Sequence, residues 1–302
     1  MQAILEESPG WMRAAAVQPL LRLGARLADL HQALAISPIA GLVADRASLM
    51  AAAKVLASAG RPETVPELRD MRMMGDPAGP GAPTLAAWSW LASLPWEESA
   101  ASRYRSTHGD LQGMATDHRH HNRLFELIRG LGWRDTDEAL LHLVLAVGTA
   151  AALPCPLAAI GTVLEATTGL PLSIRLLAGD YVVGRCLGWP LPLYSLGLGR
   201  REQPDPSVPA IARTLLAGTG EILSLVRPLA SQAARLIDSG RQVRTRQAAG
   251  VITRILSRDA VWSAALADLL PDRPARRLLQ RLVDLGAVRE LTGRPSYRLY
   301  GL

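Results

Sequence analysis

The sequence predicts a mainly α fold: a helical amino-terminal body over residues 1–240, then a compact module over 246–302 built from three short helices and a small β-hairpin. Three observations predict it. Leu and Ala dominate, β-branched residues are sparse and Phe occurs once, a composition of helix formers. Apolar residues recur three and four positions apart along most of the chain. After Ala248 the helical patterns shorten, and an alternation of apolar and polar residues closes the sequence. A hydrophobic content of 49% with 20% charged residues excludes an intrinsically disordered chain.

In the body, the spacing from Leu20 through Leu34 predicts an amphipathic helix ending near Pro38, and "GLVADRASLMAAAKVLASAG" predicts a second with Gly60 as its stop. "GDPAGPGAP" (75–83) holds three Pro and three Gly in nine residues and reads as a loop. Trp88, Trp90 and Trp96 read as amphipathic packing around a Pro break. Residues 139–164 carry no charge, long enough to raise a bilayer span, but "LPCP" breaks the run at Pro154–Pro156 into two buried helices. "LSIRLLAGDYVVGRCL" predicts an apolar helix stopped by Gly188 and Pro190, and "AIARTLLAGTGEILSLVRPLASQAARLIDSGRQ" predicts two more.

In the module, a first helix is expected to bury Val251, Ile252, Ile255 and Leu256, and a second, around Val261–Leu269, to bury Trp262, Leu266 and Leu269 or Leu270. Asp272 is placed to cap a third helix that buries Leu278, Leu279, Leu282 and Leu285 and ends at Gly286. Arg276, Arg277, Gln280 and Arg281 remain for its other side. The hairpin around "TGRP" turns Val288, Leu291, Leu299 and Tyr300 inward and Arg289, Arg294 and Arg298 outward. Helix, helix, turn, helix and hairpin is the order of a winged helix-turn-helix, whose third helix enters a DNA major groove.

Charge points the same way. From Arg241 onward twelve Arg face five acids, a net charge of +7, whereas the whole chain carries +6 and the first 240 residues therefore carry −1. A positive field focused on the last fifth of the chain attracts a polyanion, and the planar guanidinium fork suits guanine edges and phosphates. Double-stranded DNA is thus the expected partner, and Arg273, Arg276, Arg277, Gln280, Arg281, Arg289, Arg294 and Arg298 the expected DNA-binding residues. The body is expected to dimerise or to sense an effector of unstated chemistry. A protein-interaction module is the competing reading of the same pattern.

The ending "LVDLGAVRELTGRPSYRLYGL" resembles that of a proteobacterial, largely rhizobial family in which a domain of unknown function precedes a helix-turn-helix DNA-binding domain, with "RELTGRPSYR" the densest agreement. "SIRLLAGDYVVGRCLGWPLPLYSLGLGRR" resembles that family's central helix and loop, and "LASAGRPETVPELRDMRMMGD" its amino-terminal part more loosely. The resemblance implies transcriptional regulation. The layout also resembles Fic-domain proteins with a carboxy-terminal winged helix, whose loop reads H-x-F-x-[D/E]-G-N-G-R-x-x-R. With the final Arg on Arg175, the base falls on Leu164, the acid on Thr168, the Asn on Leu170 and the first Arg on Leu172; only Gly169 and Arg175 match. Leu accepts no proton and Thr replaces no metal-binding carboxylate, so nucleotidyl transfer is not expected and the alternative is a degenerate Fic-like scaffold.

Asp117, His118, His120 and His121 in "TDHRHHNR" invite a metal reading, but on a helix His118 points away from Asp117, and a helical surface or interface cluster is expected instead. No phosphate loop, nucleophile elbow or Cys-x-x-Cys pair occurs. No catalytic residue, metal or cofactor is therefore expected. Two cysteines and an amino terminus "MQAILEESPGW" without a basic export region lead to the expectation of a cytoplasmic protein without a membrane span.

Overall fold

The computed structural model describes residues 10–75, 79–94, 111–153, 155–243, 247–292 and 297–302, with backbone only for 10–17 and 111–118. It is mainly helical, with one small two-stranded sheet among the described residues. Helices α1 (Gly10–Leu34), α2 (Ala40–Ser58), α3 (Val65–Met74), α4 (Ala82–Ser93), α5 (Leu111–Gly130), α6 (Asp137–Ala151), α7 (Pro156–Ala166), α8 (Leu172–Leu187), α9 (Leu193–Gly197) and α10 (Val208–Gln242) form the body. Helix α11 (Ala248–Ser257), a 3-10 turn (Ala264–Leu266), helix α12 (Asp272–Asp284) and strands β1 (Arg289–Glu290) and β2 (Tyr300–Gly301) follow.

Two helices are apolar nearly all round, and both lie at the centre, as such helices must. In α2 the buried residues run from Leu42 to Leu56 on every face, packed by α4, α9 and α11. In α8 Leu176 through Val183 are all buried. The uncharged run does divide at Pro156 into α6 and α7, and no helix among the described residues is long and apolar enough to cross a membrane. Helix α3 starts with a capping box: Thr64 N–H donates to Glu67 Oε2 at 2.7 Å and Glu67 N–H to Thr64 Oγ1 at 3.4 Å. The Gly/Pro-rich stretch is shorter as a loop than expected, because Ala82 and Pro83 already open α4, where proline's missing N–H costs nothing.

The two helices expected after Pro209 are one. Helix α10 runs through Pro228 for 35 residues, about 50 Å at 1.5 Å per residue. Ile211, Leu215, Ile222, Val226, Leu229, Ala233 and Leu236 keep one continuous buried stripe, while Pro228 is exposed, so the carbonyl its ring leaves without a donor faces water. The stripe outweighs the local breaker. Where α9 crosses α10 the backbones nearly touch: a Cβ on Gly218 would lie 1.9 Å from the Leu193 carbonyl oxygen, and one on Gly197 1.7 Å from that of Thr214. The far end of α10 reaches α11 and α12, and Ile252 sits over Gly240, where a Cβ would meet it at 2.1 Å.

Candidate nucleic-acid interface

The module's elements follow the expected order with two corrections. The second helix is only the 3-10 turn Ala264–Leu266, because Val261 is taken into an antiparallel bridge with Tyr300, each donating its N–H to the other's carbonyl at 2.8 Å. Trp262 is accordingly half-buried, whereas Leu266 and Leu270 are buried. Asp272 does not cap α12; Pro271 stands at that position, and Asp272, the first helical residue, bonds Ser263 and pairs with Arg276 at 3.0 Å. The bond from Ser263 and the charge of Arg276 hold its carboxyl below the ordinary aspartate value.

In α12 Ala275, Leu278, Leu279 and Leu282 are buried and Leu285, just beyond it, is half-buried. Arg273, Arg276, Arg277, Gln280 and Arg281 are exposed, and at 100° per residue they span an arc of about 140° opposite the leucine seam. The hairpin pairs Arg289 with Gly301 and Glu290 with Tyr300, and Leu291 N–H donates to the Leu299 carbonyl at 2.7 Å. Arg289 and Arg298 are exposed; Arg294 lies outside the described residues. Arg298 approaches Glu290 at 3.5 Å and Gln280 Nε2 donates to Asp284 at 3.0 Å. Arg273, Arg277, Arg281 and Arg289 have no acidic partner among the described residues. A cleft of about 530 Å³ is lined by Arg276, Arg277 and Gln280 of α12, by Tyr297, Arg298 and Tyr300 of the hairpin and by Trp262 from the segment before the 3-10 turn.

A buried ion network, which no periodicity announced, joins this module to the body. Asp259, fully buried just after α11, accepts from Arg46 Nε at 2.5 Å and from Arg69 Nε. Its own N–H donates to Asp45 Oδ2 at 2.7 Å, and Asp45 is gripped by both terminal nitrogens of Arg72 at 2.9 Å. Arg46 Nη2 also donates to the Leu302 main-chain carbonyl at 2.7 Å, and Tyr297 Oη bonds Asp70 Oδ1 at 3.1 Å. Burial alone would raise the Asp259 carboxyl; the hydrogen bonds and charges of Arg69 and Arg46 overcome it and hold the group below the usual range.

A second buried carboxylate, Asp180 of α8, accepts the N–H groups of Tyr194 and Ser195 at 2.8 and 3.0 Å, the Trp88 indole N–H at 3.0 Å and the Ser195 hydroxyl. Burial pushes its pKa up to about 6 against those four bonds. It ties α4, α8 and α9 together, so Trp88 is a core residue with a satisfied donor; Trp96 lies outside the described residues. Lys54, whose ammonium donates to the Leu196 carbonyl, is lowered by burial despite the acids Glu221, Glu202 and Asp180 nearby.

The other candidate positions pack as follows. His120 meets the edge of Trp90 with ring centroids 6.3 Å apart, and His121 fills the space beside Gly148, so both serve the packing of α5; the side chains of Asp117 and His118 lie outside the described residues. No group of three metal-binding side chains occurs among the described residues. At the Fic-like alignment, Leu164 is fully buried and Thr168 Oγ1 donates to its carbonyl at 3.0 Å, while Gly169 turns the chain at φ 83° and Arg175 Nη2 donates to the Pro204 carbonyl at 3.0 Å. Cys155 is exposed, and Cys186 is buried with its Sγ 3.8 Å from the Ala151 and Leu153 carbonyls.

No curated protein matches the chain. Body and module are matched together: residues 2–302 match the family described as "Protein of unknown function (DUF1403)", to which this chain therefore belongs.

Proposed function

We propose that the chain is a DNA-binding protein, a transcriptional regulator that acts in the cytoplasm by presenting its carboxy-terminal module, as a winged helix, to duplex DNA. One observation carries the reading: α12 turns four arginines and Gln280 to solvent opposite its leucine seam, beside a hairpin that adds Arg289 and Arg298. On this face six arginines stand against Asp272, Asp284 and Glu290, a formal excess of three positive charges. A helix so charged fits the major groove, with the hairpin on the flanking backbone. Arginine forks supply phosphate contacts and bidentate guanine contacts from one residue type. The body then serves as the mount, and as a homodimer it would set two modules about 34 Å apart, one helical turn.

Duplex binding measured against salt concentration tests the proposal. Arg277 and Arg281 are the residues to remove, being exposed and without an acidic partner among the described residues. Arg277→Ala with Arg281→Ala is expected to weaken binding and to reduce the slope of log affinity against log salt by about two, about one for each lost phosphate contact. Unchanged affinity and slope in a folded double variant would remove the reading.

A further inference from the structure

The cleft between α12 and the hairpin has a chemistry that duplex contacts alone do not require. The module from residue 247 onward contains three aromatic residues, Trp262, Tyr297 and Tyr300, and all three line this one cleft. Tyr300 is buried, but Trp262 and Tyr297 are only half-buried and meet edge to face, with centroids 5.9 Å apart and planes at 82°. The Trp262 indole N–H has no partner among the described residues. Tyr297 is held in place from the body by its bond to Asp70. Aromatic rings that served only the core would be covered; these form the wall of an open cavity.

The rest of the lining is cationic. Arg276, Arg277 and Arg298 stand against Asp272, an excess of two positive charges. Asp272 orients the guanidinium of Arg276 at 3.0 Å and Glu290 lies 3.5 Å from that of Arg298, while Arg277 is unpaired among the described residues. Gln280 gives its amide nitrogen to Asp284 and keeps its carbonyl oxygen as an acceptor. The cavity, about 530 Å³, is of a size that holds a small organic ligand. A purely apolar ligand leaves three guanidinium groups facing carbon, and a bare inorganic anion leaves the indole and phenol unused. A planar ring joined to a phosphate uses both.

We infer that this cleft is a site for one unpaired nucleotide, its base stacked against Trp262 and Tyr297 and its phosphate held by Arg276 and Arg277. The inference rests on the nucleic-acid reading of the module and narrows it to DNA that offers an unpaired base beside a duplex, or to a free nucleotide of the same chemistry.

The full-length protein is titrated with a deoxynucleoside 5′-monophosphate, the matching nucleoside, inorganic phosphate, a blunt duplex, and that duplex with a short single-stranded overhang. Binding is read by calorimetry. The monophosphate, the overhang, or both are expected to gain about tenfold over their counterparts, the nucleoside and phosphate in one case and the blunt duplex in the other. A gain with the overhang alone identifies a strand as the source; a gain with the monophosphate alone identifies a free nucleotide. Trp262→Leu is expected to abolish the gain and to leave blunt-duplex affinity within about twofold, while Trp262→Phe keeps the gain, stacking being tolerant of ring type. Should the leucine variant fail to fold, exposed Arg277→Glu takes its place and must remove monophosphate binding. The inference is overturned if neither gain appears, or if folded Trp262→Leu or Arg277→Glu retains the gain. Loss of blunt-duplex binding with monophosphate binding intact overturns the duplex reading and leaves this site standing.

Discussion

Replacing Asp259 by alanine tests whether the ion network couples the module to the body. The carboxylate is fully buried, and the side chains of its partners Arg46 and Arg69 are 15% and 11% exposed. Removing it strands two guanidinium groups in a mostly dry interface, a class of change that costs 3–5 kcal/mol, or roughly 3 here because Arg46 keeps the Leu302 carbonyl. At roughly 2 °C per kcal/mol for a chain of this size, the thermal midpoint is expected to fall by about 6 °C in scanning calorimetry. The same network predicts an acid limb. A carboxyl held below its unfolded value contributes stability above that value, and the contribution drains away as the pH falls below about 4. The variant should lose this limb. A midpoint within about 1 °C of wild type, or an unchanged acid limb, would refute the coupling.

Asp180 predicts the opposite slope. Because its folded pKa is about 6, above the unfolded value, folding stability should decline as the pH rises from about 4 through 6. Asp180→Asn should flatten that decline while costing about 1–3 kcal/mol for the acceptor lost to Trp88, as denaturant titrations across this range will show. Gly218→Ala forces a methyl against the Leu193 carbonyl and should destabilise by at least about 1–3 kcal/mol; a neutral result in thermal melts would mean the α9–α10 crossing is looser than described. Pro228→Ala restores a helical N–H on the exposed face of α10 and should stabilise the fold by no more than the roughly 3 kcal/mol a mid-helix proline costs, raising the midpoint; a fall in the midpoint contradicts the account of that face.

Elements whose signal is local were readable. The leucine seam of α12, the outward arginines, the break at Pro156 and the stop at Gly188, which adopts φ 73°, follow from spacing and from backbone preferences within a few residues. Long-range competition decided the rest. Pro228 reads as a helix end because a local window omits the stripe from Ile211 to Leu236 that carries α10 past it. Val261 reads as helical because its pairing partner, Tyr300, lies nearly forty residues on. At the site, exposure of the arginines was legible, but the aromatic wall was not, since Trp262 and Tyr297 meet only when the hairpin closes on the turn. Asp259, one acid among five in a charge count, gave no sign that Arg46 and Arg69 would meet it from more than 180 residues away.

The glycine crossing of α9 and α10 acquires a mechanical meaning from its position. From Gly218 to Gln242 the helix extends about 36 Å, so a 10° tilt at the crossing would sweep its far end through roughly 6 Å. Such a lever alone would leave the arginine face of α12 imprecisely aimed. The module has a second point of attachment, through Asp259 to α2 and α3, and two separated anchorages remove the rotation that one permits. With both anchorages in place, the face of α12 changes its direction only if α2 and α10 shift relative to each other.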